Sequence, residues 1–317
     1  MKKKVIILTN MFPTSKRKYF GVFVKEQYEA LKENTEHEFE VLVWSKGGSR
    51  IAQIRNLLAT IFSVVLKVVS KKVDIIHVHY GLTGIIPFIL LPMLKLYKVK
   101  TVVTFHGSDI LGESKVVKKI SKLVSGVSNL NIAVSFEIFN KLSGDNKKIW
   151  LPCGVDALFY SDNQIKLNRK PVVIFPSSPS RPEKDFDKFL SIMKKVEDKI
   201  GCKVQTVVLE NLSKVQILEL FTSSCCLLMT SKYEGSPQTV KEAVLTRLPV
   251  ASTDVGDVVS IVSGTELSCV TNDENVLSDF VAEMVINKCS SQYPKEFTNL
   301  YLSTSVANKL SNIYQEI

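Results

Sequence analysis

No stretch of this sequence supplies the roughly 18–20 uninterrupted apolar residues that a membrane-spanning helix needs. The two longest apolar segments are both broken: Ile51–Val69 carries Arg55 and Lys67, and Ile85–Tyr97 carries Pro87, Pro92 and Lys95. The run Val5-Ile6-Ile7-Leu8 behind Lys2-Lys3-Lys4 is too short for a secretory leader and meets Thr9-Asn10 instead of a cleavage-like segment. A buried first strand accounts for it, and the chain is expected to be soluble or at most peripheral. Histidine is scarce, with four residues and no ligand spacing among them, which argues against a structural metal. The six cysteines include no C-x-x-C pair and mostly sit in apolar surroundings, as in Cys225-Cys226-Leu227-Leu228. They are read as reduced thiols in a cytosol. There is no low-complexity tract and no short internal repeat.

What is present is an ordinary globular composition, 45% hydrophobic and 23% charged, in 317 residues, enough for two domains with separate cores. The charge is uneven. Residues 1–150 hold 24 Lys/Arg against 11 Asp/Glu, a balance of +13, while residues 151–317 hold 17 against 20. A basic first half beside a near-neutral second half points the first half towards an anionic partner.

In the first half short apolar runs alternate with amphipathic stretches. Strands are predicted at Val5–Leu8, Glu40–Val43, Asp74–Val78, Thr101–Phe105 and Leu130–Val134. Helices are predicted at Val22–Lys32, Ile51–Ser70, Leu82–Tyr97 and Ser114–Val127. Strict alternation implies βαβ units and a parallel sheet. Ser161–Lys170 reads as a linker, and the pattern then restarts. Strands are expected at Pro171–Phe175, Val204–Leu209, Cys226–Met229 and Pro249–Ser252. Helices are expected at Asp185–Ile200, Ser213–Phe221 and Gln238–Thr246, with a helical tail from about Glu274. The expected fold is therefore α/β, with two Rossmann-like domains, residues 1–158 and 159–317. Ligands of open α/β sheets lie beyond the carboxyl ends of the strands, so two such domains facing each other would enclose a cleft.

The segment Ser231-Lys232-Tyr233-Glu234-Gly235-Ser236-Pro237-Gln238-Thr239-Val240-Lys241-Glu242-Ala243 carries the strongest chemical signal. Ser236 followed by Pro237 reads as a capping hydroxyl and a first-turn proline. The start of that helix offers unpaired N–H groups to a phosphate. Glu242 would lie about 8 Å along the axis from the cap. One carboxylate could then grip sugar hydroxyls and the other ribose hydroxyls, with a diphosphate on the amides between them. The plain alternative is a capped helix with two exposed glutamates.

That segment, continued by Leu248-Pro249-Val250-Ala251-Ser252-Thr253-Asp254-Val255-Gly256-Asp257, closely resembles the donor-binding core of glycosyltransferase family 4, retaining enzymes of the GT-B fold. The resemblance extends over nearly the whole chain. It takes in Asn10-Met11-Phe12-Pro13, Gly21-Val22-Phe23-Val24-Lys25-Glu26-Gln27, Asp74-Ile75-Ile76-His77-Val78-His79, Thr104-Phe105-His106-Gly107-Ser108-Asp109 and Leu151-Pro152-Cys153-Gly154-Val155-Asp156.

The resemblance implies that Glu234 holds donor sugar hydroxyls and Glu242 the ribose, while the amides of Gly235, Ser236, Pro237 and Gln238 line sugar and phosphate. Gly21 would let backbone approach the diphosphate without a Cβ in the way. His106 would face the donor sugar, and Lys184 with Arg181 would neutralise the departing nucleoside diphosphate. Pro179 stands where the family's arginine usually is, so Arg181 would act from a shifted position. Cys153 stands where asparagine is usual. For His77 and His79, packing in the core or at its rim is the expected role. The last helix is expected to pack back on the first domain.

Asp185-Phe186-Asp187 spells a D-x-D pattern, but it opens a helix, where acidic residues suit the dipole, so no required metal is expected. The donor would be a UDP-sugar or GDP-sugar, with no further cofactor and no nucleic-acid partner. The acceptor would be an oligosaccharide or lipid-linked saccharide of cell-surface polysaccharide synthesis. The basic elements Arg50–Lys72, Pro92–Lys100 and Lys115–Lys122 suit an anionic membrane surface, or serve only as a solvated cationic face. The expected location is the cytoplasm, either free or peripheral on the inner membrane face. Competing readings are a silent partner subunit that binds nucleotide or docks on a membrane, and a sugar-nucleotide epimerase of the same fold.

Overall fold

The computed structural model describes every residue except 1, 16, 18–19, 46–48, 143–146 and 161–167. The chain forms two units, Met1–Gly154 with Ser303–Ile317, and Val155–Leu302.

The first unit runs β1 (Lys4–Thr9), α1 (Val22–Asn34), β2 (Glu38–Val43), α2 (Arg50–Val69), β3 (Ile75–His79), α3 (Ile85–Ile89), α4 (Leu91–Leu96), β4 (Lys100–Phe105), α5 (Lys115–Ser125), β5 (Leu130–Ala133), α6 (Phe136–Lys141) and β6 (Lys148–Trp150). The six strands make one sheet in the order β2-β1-β3-β4-β5-β6, and every pair is parallel. Alternate residues leave opposite faces of a strand, and both faces here are covered. Ile6, Leu8, Ile76, Val78 and Val103 meet Val64 and Val68 of α2 and Leu94 of α4. Val5, Ile7, Ile75, Val102 and Ile132 meet Val24 and Leu31 of α1 on the other side. The single helix expected over Leu82–Tyr97 is instead a 3-10 turn at Gly81–Gly84 followed by α3 and α4, which meet around Leu90. Pro92 lies at the start of α4, where its missing N–H costs nothing.

The second unit contains β7 (Lys170–Phe175), α7 (Phe186–Ile200), β8 (Gln205–Val208), α8 (Lys214–Ser223), β9 (Ser224–Met229), α9 (Gln238–Leu245), β10 (Val250–Ser252), α10 (Val258–Val262), β11 (Ser268–Val270), α11 (Glu274–Asn287) and α12 (Glu296–Tyr301). Its five parallel strands are ordered β11-β10-β9-β7-β8. Val173 and Phe175 pack on Phe189 and Ile192 of α7 and Leu277 of α11. Ile174, Leu227 and Met229 pack on Val240 and Val244 of α9.

A last helix, α13 (Ser303–Glu316), belongs to the first unit, as expected for the returning tail. Its Val306, Ala307, Leu310 and Tyr314 complete the core that Val5, Ile7, Val24 and Leu31 begin.

The change of unit falls at Gly154/Val155, four residues before the boundary expected at 158/159. The expected linker, Ser161–Lys170, lies inside the range of the second unit, and its residues 161–167 are outside the described residues. Its described end is built into the fold. Arg169 is buried and donates to the carbonyls of Phe221, Ser224 and Thr246, with Nε on Ser290 Oγ at 3.2 Å. Burial lowers its pKa to about 10, which still leaves the guanidinium charged at neutral pH.

Candidate nucleotide-sugar site

In the second unit the sheet order reverses between β7 and β9, one strand continuing to β8 and the other to β10. Such a switch point leaves a crevice at the carboxyl ends of the two strands. The segment after β7 carries Arg181 and Lys184, and the segment after β9 carries Glu234. Lys184 and Glu234, fifty residues apart, form an ion pair there, with each side chain 13% exposed. Ser231 Oγ donates to the same carboxylate oxygen, Oε1, at 2.8 Å.

Backbone contacts fix the pair. Thr230 Oγ1 donates to the carbonyls of Lys184 and Asp185 at 3.0 and 2.9 Å, and the Lys232 N–H donates to the Glu183 carbonyl at 2.9 Å. Asp185 sits in the left-handed region at φ 52°, ahead of α7. Arg181 is not brought to the pair. It is 53% exposed and bound to Glu183 at 2.6 Å.

A second loop supports Glu234 from the side. Thr253 Oγ1 donates to the Ser231 carbonyl at 2.7 Å, and the Asp257 N–H to the Gly235 carbonyl at 3.1 Å. Gly256 adopts φ +55°, and a Cβ there would stand 2.3 Å from the Gly235 oxygen. The glycine is required twice over, by conformation and by contact.

The start of α9 differs from the sequence reading. The cap position is Pro237, with no side-chain cap, so the helix opens at Gln238. The Ser236 hydroxyl does not cap; Oγ is buried with no protein partner. With Pro237 at the cap, Ser236 stands one residue ahead of the position from which a side chain caps the first turn. Glu242 lies one turn into α9, half-buried, with its carbonyl accepting from Thr246. Its neighbour Lys241 is fully buried, with Nζ 5.7 Å from the centre of the Tyr301 ring.

The first unit holds a separate cluster at the carboxyl ends of β3 and β4. His77 and His79 are buried, and His106 follows β4. The His77 ring places Nδ1 2.6 Å from the Tyr314 hydroxyl and Nε2 2.7 Å from Thr104 Oγ1. His79 Nδ1 and His106 Nε2 are 3.0 Å apart, and Cys153 Sγ lies 3.6 Å from His106 Nδ1. Burial holds the His79 pKa down at about 3, and burial with the neighbouring imidazoles lowers that of His77. Both rings are neutral at physiological pH.

Asp109 sets the turn that carries His106. Its buried carboxylate accepts from the N–H groups of Gly81, His106 and Gly107 at 2.9 to 3.1 Å. Burial raises its pKa while those amides oppose the rise. In the sequence Asp109 stands only as the last residue of the Thr104–Asp109 motif. An aspartate three residues after a strand-end histidine is the signal that could have found it. Tyr314 gave no such signal.

Gly21 has φ +74° ahead of α1, and the space a Cβ would fill is occupied by the Met11 and Phe12 backbone at 2.3 to 2.7 Å. The chain's own close approach therefore accounts for this glycine. Among the described residues no group of three His, Cys, Asp or Glu could hold a metal ion. Asp185 and Asp187 of the D-x-D pattern stand at the start of α7, with Lys232 3.8 Å from Asp185. All six cysteines are free thiols.

No protein-family model matches the chain, and no curated protein matches it in sequence. Solved structures do. Sucrose-phosphate synthase from Thermosynechococcus elongatus is 12% identical, with a TM-score of 0.72 over 99% of each chain. HepE of Anabaena, solved with UDP and glucose, is 12% identical at a TM-score of 0.67 over 99% of this chain and 100% of that one. A glycosyltransferase from Rickettsia africae is 15% identical, at 0.67 over 100% and 99%. The chain has the GT-B glycosyltransferase fold that its motifs resemble.

Proposed function

We propose that this protein is a nucleotide-sugar-dependent glycosyltransferase. It would move a hexose or N-acetylhexosamine from a UDP-sugar or GDP-sugar to a saccharide or lipid-linked acceptor in cell-surface polysaccharide synthesis. The observation that carries this reading is the meeting of Lys184 and Glu234 at the switch point of the second sheet. Both hydrogen bonds to the carboxylate fall on Oε1, so Oε2 is the oxygen left to accept from a sugar hydroxyl. Lys184 supplies positive charge beside it, and the first amides of α9 supply more. Glu242, further along α9, would take the ribose. Arg181 would leave Glu183 to reach the diphosphate.

In the reaction the bond from the anomeric carbon to the leaving phosphate oxygen breaks. The acceptor hydroxyl forms the new bond and gives up its proton. Lys184 stabilises the negative charge that gathers on the departing diphosphate, an effect that usually dominates such catalysis. Retention of configuration is what the family resemblance implies, with attack from the face that the phosphate leaves and the phosphate taking the proton. His106 would offer Nδ1 to the sugar in place of its long contact with Cys153. HepE was solved with UDP and glucose, which supports a nucleotide-sugar donor for a chain of the same fold.

The test is a melting-temperature panel with UDP, GDP, ADP and their sugars, followed by donor hydrolysis. A bound nucleotide raises the melting temperature by mass action. Wild type should hydrolyse the stabilising donor slowly and Glu234→Ala should not. Equal rates in the two proteins would point instead to a silent nucleotide-binding subunit.

A further inference from the structure

Helix α2 presents an apolar face to solvent. Ile51, Ile54, Leu58, Phe62, Leu66 and Val69 are each between 51% and 80% exposed. Their spacing of three and four residues puts them on one side of the helix. At 1.5 Å per residue the stripe runs for about 27 Å. The opposite side, Thr60, Val64 and Val68, is buried, and the two valines belong to the core under the sheet.

The helix is long and apolar enough to cross a membrane by length and composition. Its packing rules that out for the folded chain. Crossing would strip Val64 and Val68 from the core and leave Lys67 without Glu40, its partner at 2.5 Å. A helix fixed along one side and apolar along the other can lie in the plane of an interface.

Charge decides what that interface is. No acidic residue occurs from Ser49 to Val73, while Arg50, Arg55, Lys71 and Lys72 are all exposed. Positive groups thus stand at both ends of the stripe and beside it. A second copy docked on this face would bring a basic end against a basic end in either orientation. An anionic bilayer meets both demands, taking the side chains between its acyl chains and the cations among its headgroups.

We propose that the exposed face of α2 is a membrane-docking surface that lies in the headgroup plane of an anionic bilayer. Docking would hold the first unit at the surface where a lipid-linked acceptor is presented. It does not depend on the donor chemistry assigned above.

The experiment is flotation of the full chain with vesicles of phosphatidylcholine, alone or mixed with phosphatidylglycerol. Wild type should float with the mixed vesicles, and binding should weaken in high salt. Leu58→Gln with Phe62→Gln should lose binding by at least about tenfold. Lys71→Ser with Lys72→Ser should lose about twenty-fivefold, about fivefold for each charge. Both variants change exposed side chains, so melting temperatures without ligand should match wild type and show that the fold is intact. Absence of flotation, or flotation unchanged in either variant, overturns the proposal. So does a lipid-free dimer that the Leu58/Phe62 variant dissociates, which would assign the face to a second copy. Nucleotide-induced melting shifts, measured separately, report on the donor site alone.

Discussion

The hydroxyl of Tyr314 stands 2.6 Å from Nδ1 of His77, across 237 residues of chain. Both side chains are fully buried, and His79 follows two residues along the same strand, its ring centre 4.5 Å from that of His77. The tail helix thus closes a polar contact beneath the turn that carries His106.

Removing that hydroxyl leaves a buried imidazole nitrogen unpaired, which costs about 1–3 kcal/mol. Tyr314→Phe should lower the stability of the first unit by that amount. Both tryptophans, Trp44 and Trp150, lie in this unit, so their fluorescence during urea unfolding reads it directly. An unchanged midpoint would mean that the contact contributes nothing.

The same cluster sets a pH dependence. His77 and His79 have folded-state pKa values below the unfolded value of about 6.5, that of His79 at about 3. The unfolded chain therefore binds protons that the folded chain refuses. The stability these residues carry is full above pH of about 6.5 and is lost as pH falls below it, for His79 by up to about 1.4 kcal/mol per pH unit until about pH 3. Asp109, raised by burial, acts with the opposite sign and flattens the acid end. His79→Gln should reduce the slope between about pH 6 and 4.5. A slope equal to wild type would show that His79 is not held neutral.

Lys184 and Glu234 share a largely buried pair, so removing one charge leaves the other without its partner. Lys184→Met should destabilise the second unit by about 1–3 kcal/mol, and adding Glu234→Gln should recover part of that loss. Donor hydrolysis should fall about a hundredfold in the single variant. If the double variant is less stable than the sum of the singles, the pair is not the unit it is taken to be.

Two glycines separate conformation from contact. Gly201 and Gly256 both have positive φ, but a Cβ at Gly201 meets nothing within 4 Å, whereas at Gly256 it meets the Gly235 oxygen at 2.3 Å. Gly201→Ala should cost about 1 kcal/mol, from backbone strain alone. Gly256→Ala should cost at least about 2 kcal/mol and weaken nucleotide binding as the Glu234 turn is displaced. Equal effects in calorimetry would remove the contact argument.

The alternation of apolar runs made the parallel strands and most helices legible, because burial on both sheet faces demands long-lived apolar blocks. The short elements β6, α6, α10 and β11 were not legible, being three to six residues long and carried by contacts their own sequence does not specify. Ser161–Lys170 read as a linker because its composition is polar. Arg169 shows why that fails at its end: a charged side chain can be structural when several carbonyls converge on it. Ser236 read as a cap because the dipeptide with Pro237 is a usual helix start, yet here proline itself takes the cap position.

The sequence by itself determined the α/β class, the two-domain count and the acidic segment at the start of α9. These follow from local periodicity and from residue chemistry within one stretch of chain. Only the tertiary structure decided that Lys184 meets Glu234 while Arg181 does not, that Tyr314 closes on His77, and that the apolar side of α2 faces outward. Each depends on which surfaces distant elements cover, and hydrophobic burial is non-directional, so composition says that a face is apolar but not which neighbour covers it.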